Sequence, residues 1–521
     1  MGKFKSNSPL TNYRIFGKMQ LGRMIFARVT LGGVYLQPIL WIIVIAAALL
    51  LGAGAFYGIT LSRAAKTKSS NSVFTPIPST DAERIGHAAN ALSAIIKCRT
   101  VSRDNPLDND ASEWVKLRDR LRRDFPLTHK TLAREIISDY SLLYIWKSDD
   151  SEGEPLLLSA HIDVADADGE WEYPPFDGVI SDGYVWGRGT LDCKCSIIAM
   201  LEAVETLLER GFKPKRDIYL AFSHDQESGT AGALALARFF ADRNLSFYMI
   251  LDEGGWVTRG LLPIRVPVAQ VGIAEKGRMR VKLSVDTNGG HASLPPRHTS
   301  VGLLSEAIAR VEYRPYKARL TSVVVSQLKN VIYVLPFRWR YALANLPLTN
   351  KTLIKLCSNE ERLNPLVRST VAAVRFDGGS SGNVLPGEAS AFLDIRLLHG
   401  DSGEGILQFI RDMVSGLGVF AEDIGTVPPS DISERKCEQF NLVKECILDV
   451  FGSIEVSPSL TITSTCSRQY EQFCPFVYRF SPFTLTPVDQ SRLHGRGEGV
   501  RVDSLGLAIS FYRELIEKVC E

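Results

Sequence analysis

The 521-residue chain lacks a surplus of either charge: 60 Lys and Arg stand against 58 Asp and Glu, a net +2. That balance offers no argument for nucleic acid or for a strongly acidic partner. The nine cysteines are scattered, odd in number and without a CxxC pair, so no disulfide framework can be read from them. No internal repeat is visible. Nothing suggests overall disorder, since the apolar share of 45% is ordinary for a globular protein. A chain this long exceeds one core and should hold two or more domains.

Two local absences are more informative. Met1 to Leu36 contains no acid but carries Lys3, Lys5, Arg14, Lys18, Arg23 and Arg28. Pro38 to Leu61 contains no charge at all. A bilayer needs about 20 apolar residues in helical form, so the second stretch can span one. It is longer than the roughly 7–15-residue apolar region of a cleaved signal, although Ala53-Gly54-Ala55 leaves a cleavage reading open. Arg63, Lys66 and Lys68 follow on the far side. The charge bias favours a cytoplasmic N-terminus, a single-pass anchor and an extracytoplasmic body. Lys66 to Pro78, rich in Ser, Thr, Lys and Pro, reads as a tether.

From about Thr80 helical and strand patterns alternate. Ile85, Ala88, Leu92, Ile95 and Ile96 recur at helical spacing, and Ala111 to Phe125 is similar. Pro155 to His161, Ile218 to Phe222 and Phe247 to Leu251 are apolar runs of interior-strand length, with helix-like Lys194–Arg210 and Ala231–Phe240 between them. This alternation predicts an α/β fold with a mainly parallel sheet. After Glu275-Lys276-Gly277 the texture changes. Arg278–Val285 and Ala389–Leu397 alternate like half-exposed strands, and an α+β lid is expected between them. Ala318–Leu346 is unusually apolar. It reads as a second membrane contact, a cover over an apolar substrate or buried lid helices, and Arg338 and Arg340 favour the last. The expected division is a basic tail 1–36, an anchor 37–62, a linker 63–79, a catalytic part 80–276, the lid 277–398 and a second catalytic part 399–521.

Groups that bind metal cluster at the strand exits: His161 and Asp163, Asp192, Glu227 and Asp252, and later His494. Open α/β sheets place ligands at such exits. His161 and Asp163, two apart on a strand end, share a face, so the carboxylate can hold the imidazole's second nitrogen. Taken singly, each has a plainer reading: Asp192 as a helix N-cap, an acid at a strand exit as solvated loop. Four such exits together point to a pair of divalent cations, with imidazole and carboxylate suiting zinc. Cys193 and Cys195 are soft donors or small core residues.

His161-Ile-Asp163-Val, Gly187-Arg-Gly-Thr-Leu-Asp192-Cys-Lys194, His224-Asp-Gln-Glu227, Asp252-Glu-Gly-Gly255 and Gly290-His291-Ala-Ser293 resemble the motifs of the M20 metallopeptidases in order and spacing. Asn383-Val-Leu-Pro386 with Arg396, and Pro487 through His494, extend the resemblance over nearly the whole chain from Asp81. The anchor and the apolar stretch in the lid look most like the carboxypeptidase S and peptidase M20 domain-containing protein 1 branch. The resemblance implies a di-zinc exopeptidase-like fold with an inserted lid, and cleavage of peptides or N-acyl amino acids that carry a free carboxylate. Carried over by position, Asp192 bridges two zinc ions, His161 and Asp252 complete one site, and Glu227 and His494 the other. Asp163 orients His161. His291 polarises the scissile carbonyl, from a partner subunit if the lid pairs two chains. Asn383 and Arg396 hold the substrate carboxylate.

Gln226 stands where the family has its general-base glutamate, Cys193 replaces a second aspartate, and Cys466 lies where relatives have Asp. An amide can hydrogen-bond a metal-activated water but cannot take its proton. Asp225 is adjacent on the strand and should point the other way. The expectation is a membrane-anchored metallohydrolase with turnover weakened at Gln226; the alternative is a relative that keeps the metal site for binding or structure.

Overall fold

A computed structural model describes residues 36–65, 81–151, 153–259, 264, 266–379 and 381–521. The basic tail and most of the linker lie outside them. The chain divides into two compact units, residues 1–67 and 68–521. In the first, Leu36–Ala65 is one helix, and its 24-residue stretch Leu40–Arg63 is long and apolar enough to cross a bilayer.

The second unit is built on a ten-stranded mixed sheet. Its centre is parallel: Ile218–Ser223, Leu156–His161, Met249–Asp252 and Val477–Arg479 lie side by side in that order. All of their residues are buried, as their apolar runs require. Successive side chains enter opposite cores. Leu156, Leu158, Leu220 and Phe222 face one cluster, with helices Cys195–Glu209 and Val502–Cys520. Leu157, Tyr219 and Ala221 face the other, with helix Ala231–Asp242. Antiparallel strands Ala133–Ile137 and Ser141–Trp146 close one edge. Because His161 pairs with Ser223 and Arg479 with Asp252, the parallel strands finish at a common rim.

A separate four-stranded antiparallel sheet carries Thr370–Asp377, Glu388–Leu397, Gly277–Asp286 and Phe420–Val427 in that order. Met279, Val281, Leu283 and Val285 turn inward against Ala391, Leu393 and Ile395, beneath helices Ser300–Tyr313 and Gly403–Val414. This corrects the expected lid bounds in two places. The lid sheet continues past Leu398, because Phe420–Val427 hydrogen-bonds to Gly277–Asp286. The helices between residues 322 and 367 do not belong to the lid core: Val324, Leu328, Trp339 and Leu343 are buried in the main core instead. Hydrophobic burial therefore accounts for the apolar stretch without a second membrane contact.

Candidate metal centre

Leu156–His161 ends with its imidazole at the rim and only 1% exposed. His161 Nδ1 lies 3.0 Å from the Asp163 carbonyl oxygen and 3.2 Å from Asp163 Oδ1. Nε2 lies 3.0 Å from Asp192 Oδ1 and 3.5 Å from Glu253 Oε1. Asp163 also fixes the next strand exit. Its carboxylate accepts from the backbone N–H of Gln226 at 3.1 Å and of Glu227 at 2.9 Å, and from Ser102 Oγ at 2.7 Å. One buried acid thus orients the imidazole and aims the Glu227 turn.

Asp192 is presented by the turn after Gly187-Arg188-Gly189. Gly189 has φ +84°, and a Cβ there would come within 2.3 Å of Val164 Cγ1, so the sharp turn needs glycine. The other Asp192 oxygen is 2.8 Å from His494 Nε2, which is also 3.2 Å from Glu227 Oε1. The result is an unbroken line, Glu253–His161–Asp192–His494–Glu227, with Asp192 common to both halves. Donor atoms of His161, Asp192, Cys193 and Glu253 lie within 4.8 Å of one another, as do those of Asp192, Glu227 and His494.

The electrostatics are those of an acid-rich pocket. Burial pushes the Glu253 carboxyl up to about 8, helped by Asp192 and Asp252. Hydrogen bonds to Asp192 and Glu227 raise His494 to about 10. Burial works against a charged His161, but Cys193, Glu253, Asp163 and Asp192 outweigh it and hold this imidazole well above its ordinary value. Burial likewise opposes ionised Asp192, yet the two imidazoles bring it below the usual carboxylate range. The carboxyl groups of Asp192, Glu227 and Glu253 around the imidazoles of His161 and His494 form a donor set suited to divalent cations. Asp252 Oδ1 is buried and has no hydrogen-bond partner among the described residues. The residues fit a two-metal centre.

Of the expected ligands, His161, Asp192, Glu227 and His494 fall within these two groups of donor atoms, together with Cys193 and Glu253; Asp252 is not among them. Asp252 closes its strand with Oδ2 accepting from Ser467 N at 2.6 Å, while the next residue turns to the opposite side and reaches His161. Arg188 and Glu498 escaped the sequence reading. Glu498 accepts from the backbone N–H of Leu191 at 2.9 Å and of Asp192 at 3.2 Å, and pairs with Arg188 Nη1 at 2.7 Å. Arg188 Nη2 donates to the His494 carbonyl at 3.0 Å. This buried pair sets the spacing of Asp192 and His494. Arg188 sat inside a quoted motif; Glu498, four residues after His494, carried no local signal.

The Gln226 side chain is held by the 464–466 loop. Its Nε2 donates to the Ser464 carbonyl at 2.8 Å, and its Oε1 accepts from Cys466 Sγ at 3.2 Å. Asp225 caps helix Ala231–Asp242, accepting from Ala231 N at 2.7 Å and Gly232 N at 2.8 Å. Arg396 reaches the same loop, with Nη1 3.3 Å from Ser464 Oγ and Nε 2.8 Å from Asp394. His291 and Asn383 stay on an exposed two-stranded ribbon of the lid, formed by Gly290–His291 and Val384–Leu385. His291 pairs with Val384 and contacts Ser293 Oγ at 2.8 Å, while Asn383 Oδ1 accepts from Ser381 at 2.9 Å. Among the described residues neither bonds to the cluster.

A family model, peptidase family M20/M25/M40, matches residues 157–518. Probable carboxypeptidase S-like 2 of Dictyostelium discoideum is 35% identical over 442 residues, covering 82% of this chain and 84% of that protein. Human N-fatty-acyl-amino acid synthase/hydrolase PM20D1 is 31% identical over 437 residues, covering 82% and 86%. Carboxypeptidase S of Saccharomyces cerevisiae is 30% identical, covering 82% and 84%. Among solved structures, human carnosine dipeptidase 1 superposes with a TM-score of 0.63 at 15% identity, covering 84% of this chain and 97% of that one. The M20 family metallo-carboxypeptidase Sso-CP2 of Sulfolobus solfataricus gives 0.61 at 17%, covering 84% and 98%. These two share the fold.

Proposed function

The chain belongs to peptidase family M20/M25/M40 and is an enzyme of that family; on that premise we propose a membrane-anchored, two-metal amidohydrolase that cleaves peptides or N-acyl amino acids bearing a free carboxylate. The observation that carries this reading is the sharing of Asp192 between two imidazole–carboxylate groups. His161, Asp192 and Glu253 would hold one ion, and Asp192, Glu227 and His494 the other, with zinc favoured by the donor set. When bound, the pair would supply an activated water and polarise the scissile carbonyl.

The chain's own residues supply orientation. Asp163 keeps the His161 ring in place, and Glu498 with Arg188 keeps Asp192 and His494 in register. Arg396, a planar donor fork, is suited to a substrate carboxylate. Asn383 would assist it and His291 would face the carbonyl oxygen, both needing lid movement or a second subunit to arrive. Gln226 can orient water but accepts no proton, so the uncatalysed proton step should limit turnover. The helix Leu36–Ala65 would be the single anchor, with the N-terminus cytoplasmic and the body extracytoplasmic.

A binding role without turnover has one observation in its favour, the clamping of Gln226 between Ser464 and Cys466. Metal content and release of free amino acid, measured on one detergent-solubilised sample across a panel of N-acyl amino acids and dipeptides, separate the readings. Two metals with metal-dependent release support hydrolysis. Two metals with no release on any substrate support binding, and no metal at all removes both.

A further inference from the structure

The rim contains one metal donor that the proposed hydrolysis does not use. Cys193 stands directly after the shared carboxylate of Asp192, where the family resemblance places a second aspartate. Among the described residues it is the only cysteine in either group of donor atoms: its Sγ lies within 4.8 Å of donor atoms of His161, Asp192 and Glu253. The Asp192–Glu227–His494 group offers only nitrogen and oxygen. The two halves of the centre therefore differ in chemistry, one with sulfur and one without.

Burial alone does not account for the thiol. Cys193 is buried and packs into the main core, which a small apolar residue would do equally well. Its sulfur, however, has polar surroundings. Sγ accepts from the backbone N–H of His161 at 3.2 Å and lies 3.4 Å from the His161 carbonyl oxygen. It also interacts with the side chains of His161 and Glu253. A ligand atom that is itself hydrogen-bonded is held in direction, as metal donors commonly are. Cys195, two residues on, is placed differently. It begins helix Cys195–Glu209, and its Sγ donates back to the Leu191 carbonyl at 3.6 Å.

Thiolate is a soft ligand and selects zinc-like cations, whereas carboxylate alone also suits magnesium, calcium and manganese. Resting on the two-metal reading above, we infer that Cys193 is a thiolate ligand of the ion held by His161, Asp192 and Glu253, and that its sulfur makes this half of the centre the tighter one for zinc-like cations. Binding releases the thiol proton to solvent as the sulfur–metal bond forms. The second half, without sulfur, is the one that exchanges first.

The test uses the full detergent-solubilised chain, freed of metal and titrated with cobalt(II), whose bond to sulfur gives a near-ultraviolet charge-transfer band. The band should rise to completion with the first equivalent and not grow with the second. It should persist in Cys195→Ser and vanish in Cys193→Ser and Cys193→Asp. Both of these variants should still bind two ions, one of them about tenfold or more weakly than in the natural chain. X-ray absorption of the natural chain loaded with one equivalent of zinc should show a sulfur neighbour at about 2.3 Å, a reading that needs no variant. Two cobalt ions bound without the band, or zinc bound without the sulfur neighbour, overturn the inference and leave the two-metal centre standing. A band that survives in Cys193→Ser or Cys193→Asp, or that appears only with the second equivalent, also overturns it. A chain that binds no cation removes the centre and the inference together.

Discussion

The sheet rim and the two-stranded lid ribbon carry the two halves of the proposed reaction, and they are built differently. At the rim, His161, Asp192 and Glu253 sit on interior elements, and each is braced by a buried partner such as Asp163 or Glu498. On the two-stranded ribbon of the lid, the side chains of His291 and Asn383 bond only to Ser293 and Ser381, and both residues are exposed. Preorganisation belongs to the rim, where charges of one sign must be held close. The ribbon, proposed to meet substrate, is left exposed. Arg396 lies between the two cases, anchored on the lid sheet yet already touching Ser464.

The largest effect expected is at Gln226. Gln226→Glu should raise hydrolysis by about 10²–10⁴-fold, the range of general-base catalysis, with metal content unchanged. Equal rates for the two forms would show that the rim already contains a working base. A second comparison sharpens the bracing argument. Glu498→Gln should weaken metal affinity about 10–100-fold, measured by competition with a chelator. Within the rim, Glu253→Gln should lower metal affinity more than Asp252→Asn does; the reverse order would restore Asp252 as the ligand.

The rim should also respond to pH. In metal-free protein the raised His494 value means that its ion pairs stabilise fully below 6.5 and fade as pH rises through about 10. Cations must displace the imidazole protons. Metal affinity should therefore fall with acidification, and titration calorimetry in buffers of different ionisation enthalpy should detect proton release. The smallest effect on the metal is expected from the lid: His291→Ala should reduce kcat and leave metal content as in the natural chain.

The parallel strands were legible because burial on both faces demands continuous apolar runs, as in Leu156–Ala160 and Ile218–Phe222. Their polar ends then marked the rim. Asp252 and Glu253 could not be separated in this way, since adjacent acids at a strand exit differ only in the side to which they turn. The lid's last strand, Phe420–Val427, is mostly exposed and so lacks the alternation that would have joined it to Arg278–Val285. The Arg188–Glu498 pair is invisible to local pattern because 310 positions separate its members. The helices after Ala318 were read as buried, but the surface they cover depends on tertiary packing.

Metal stoichiometry in the natural chain and in Asp192→Asn tests the central claim most directly. The shared carboxylate predicts two tightly bound divalent ions per chain and the loss of both, or of all but a weakly held one, in the variant. Two ions retained with unchanged affinity after Asp192→Asn would contradict a centre built around that side chain.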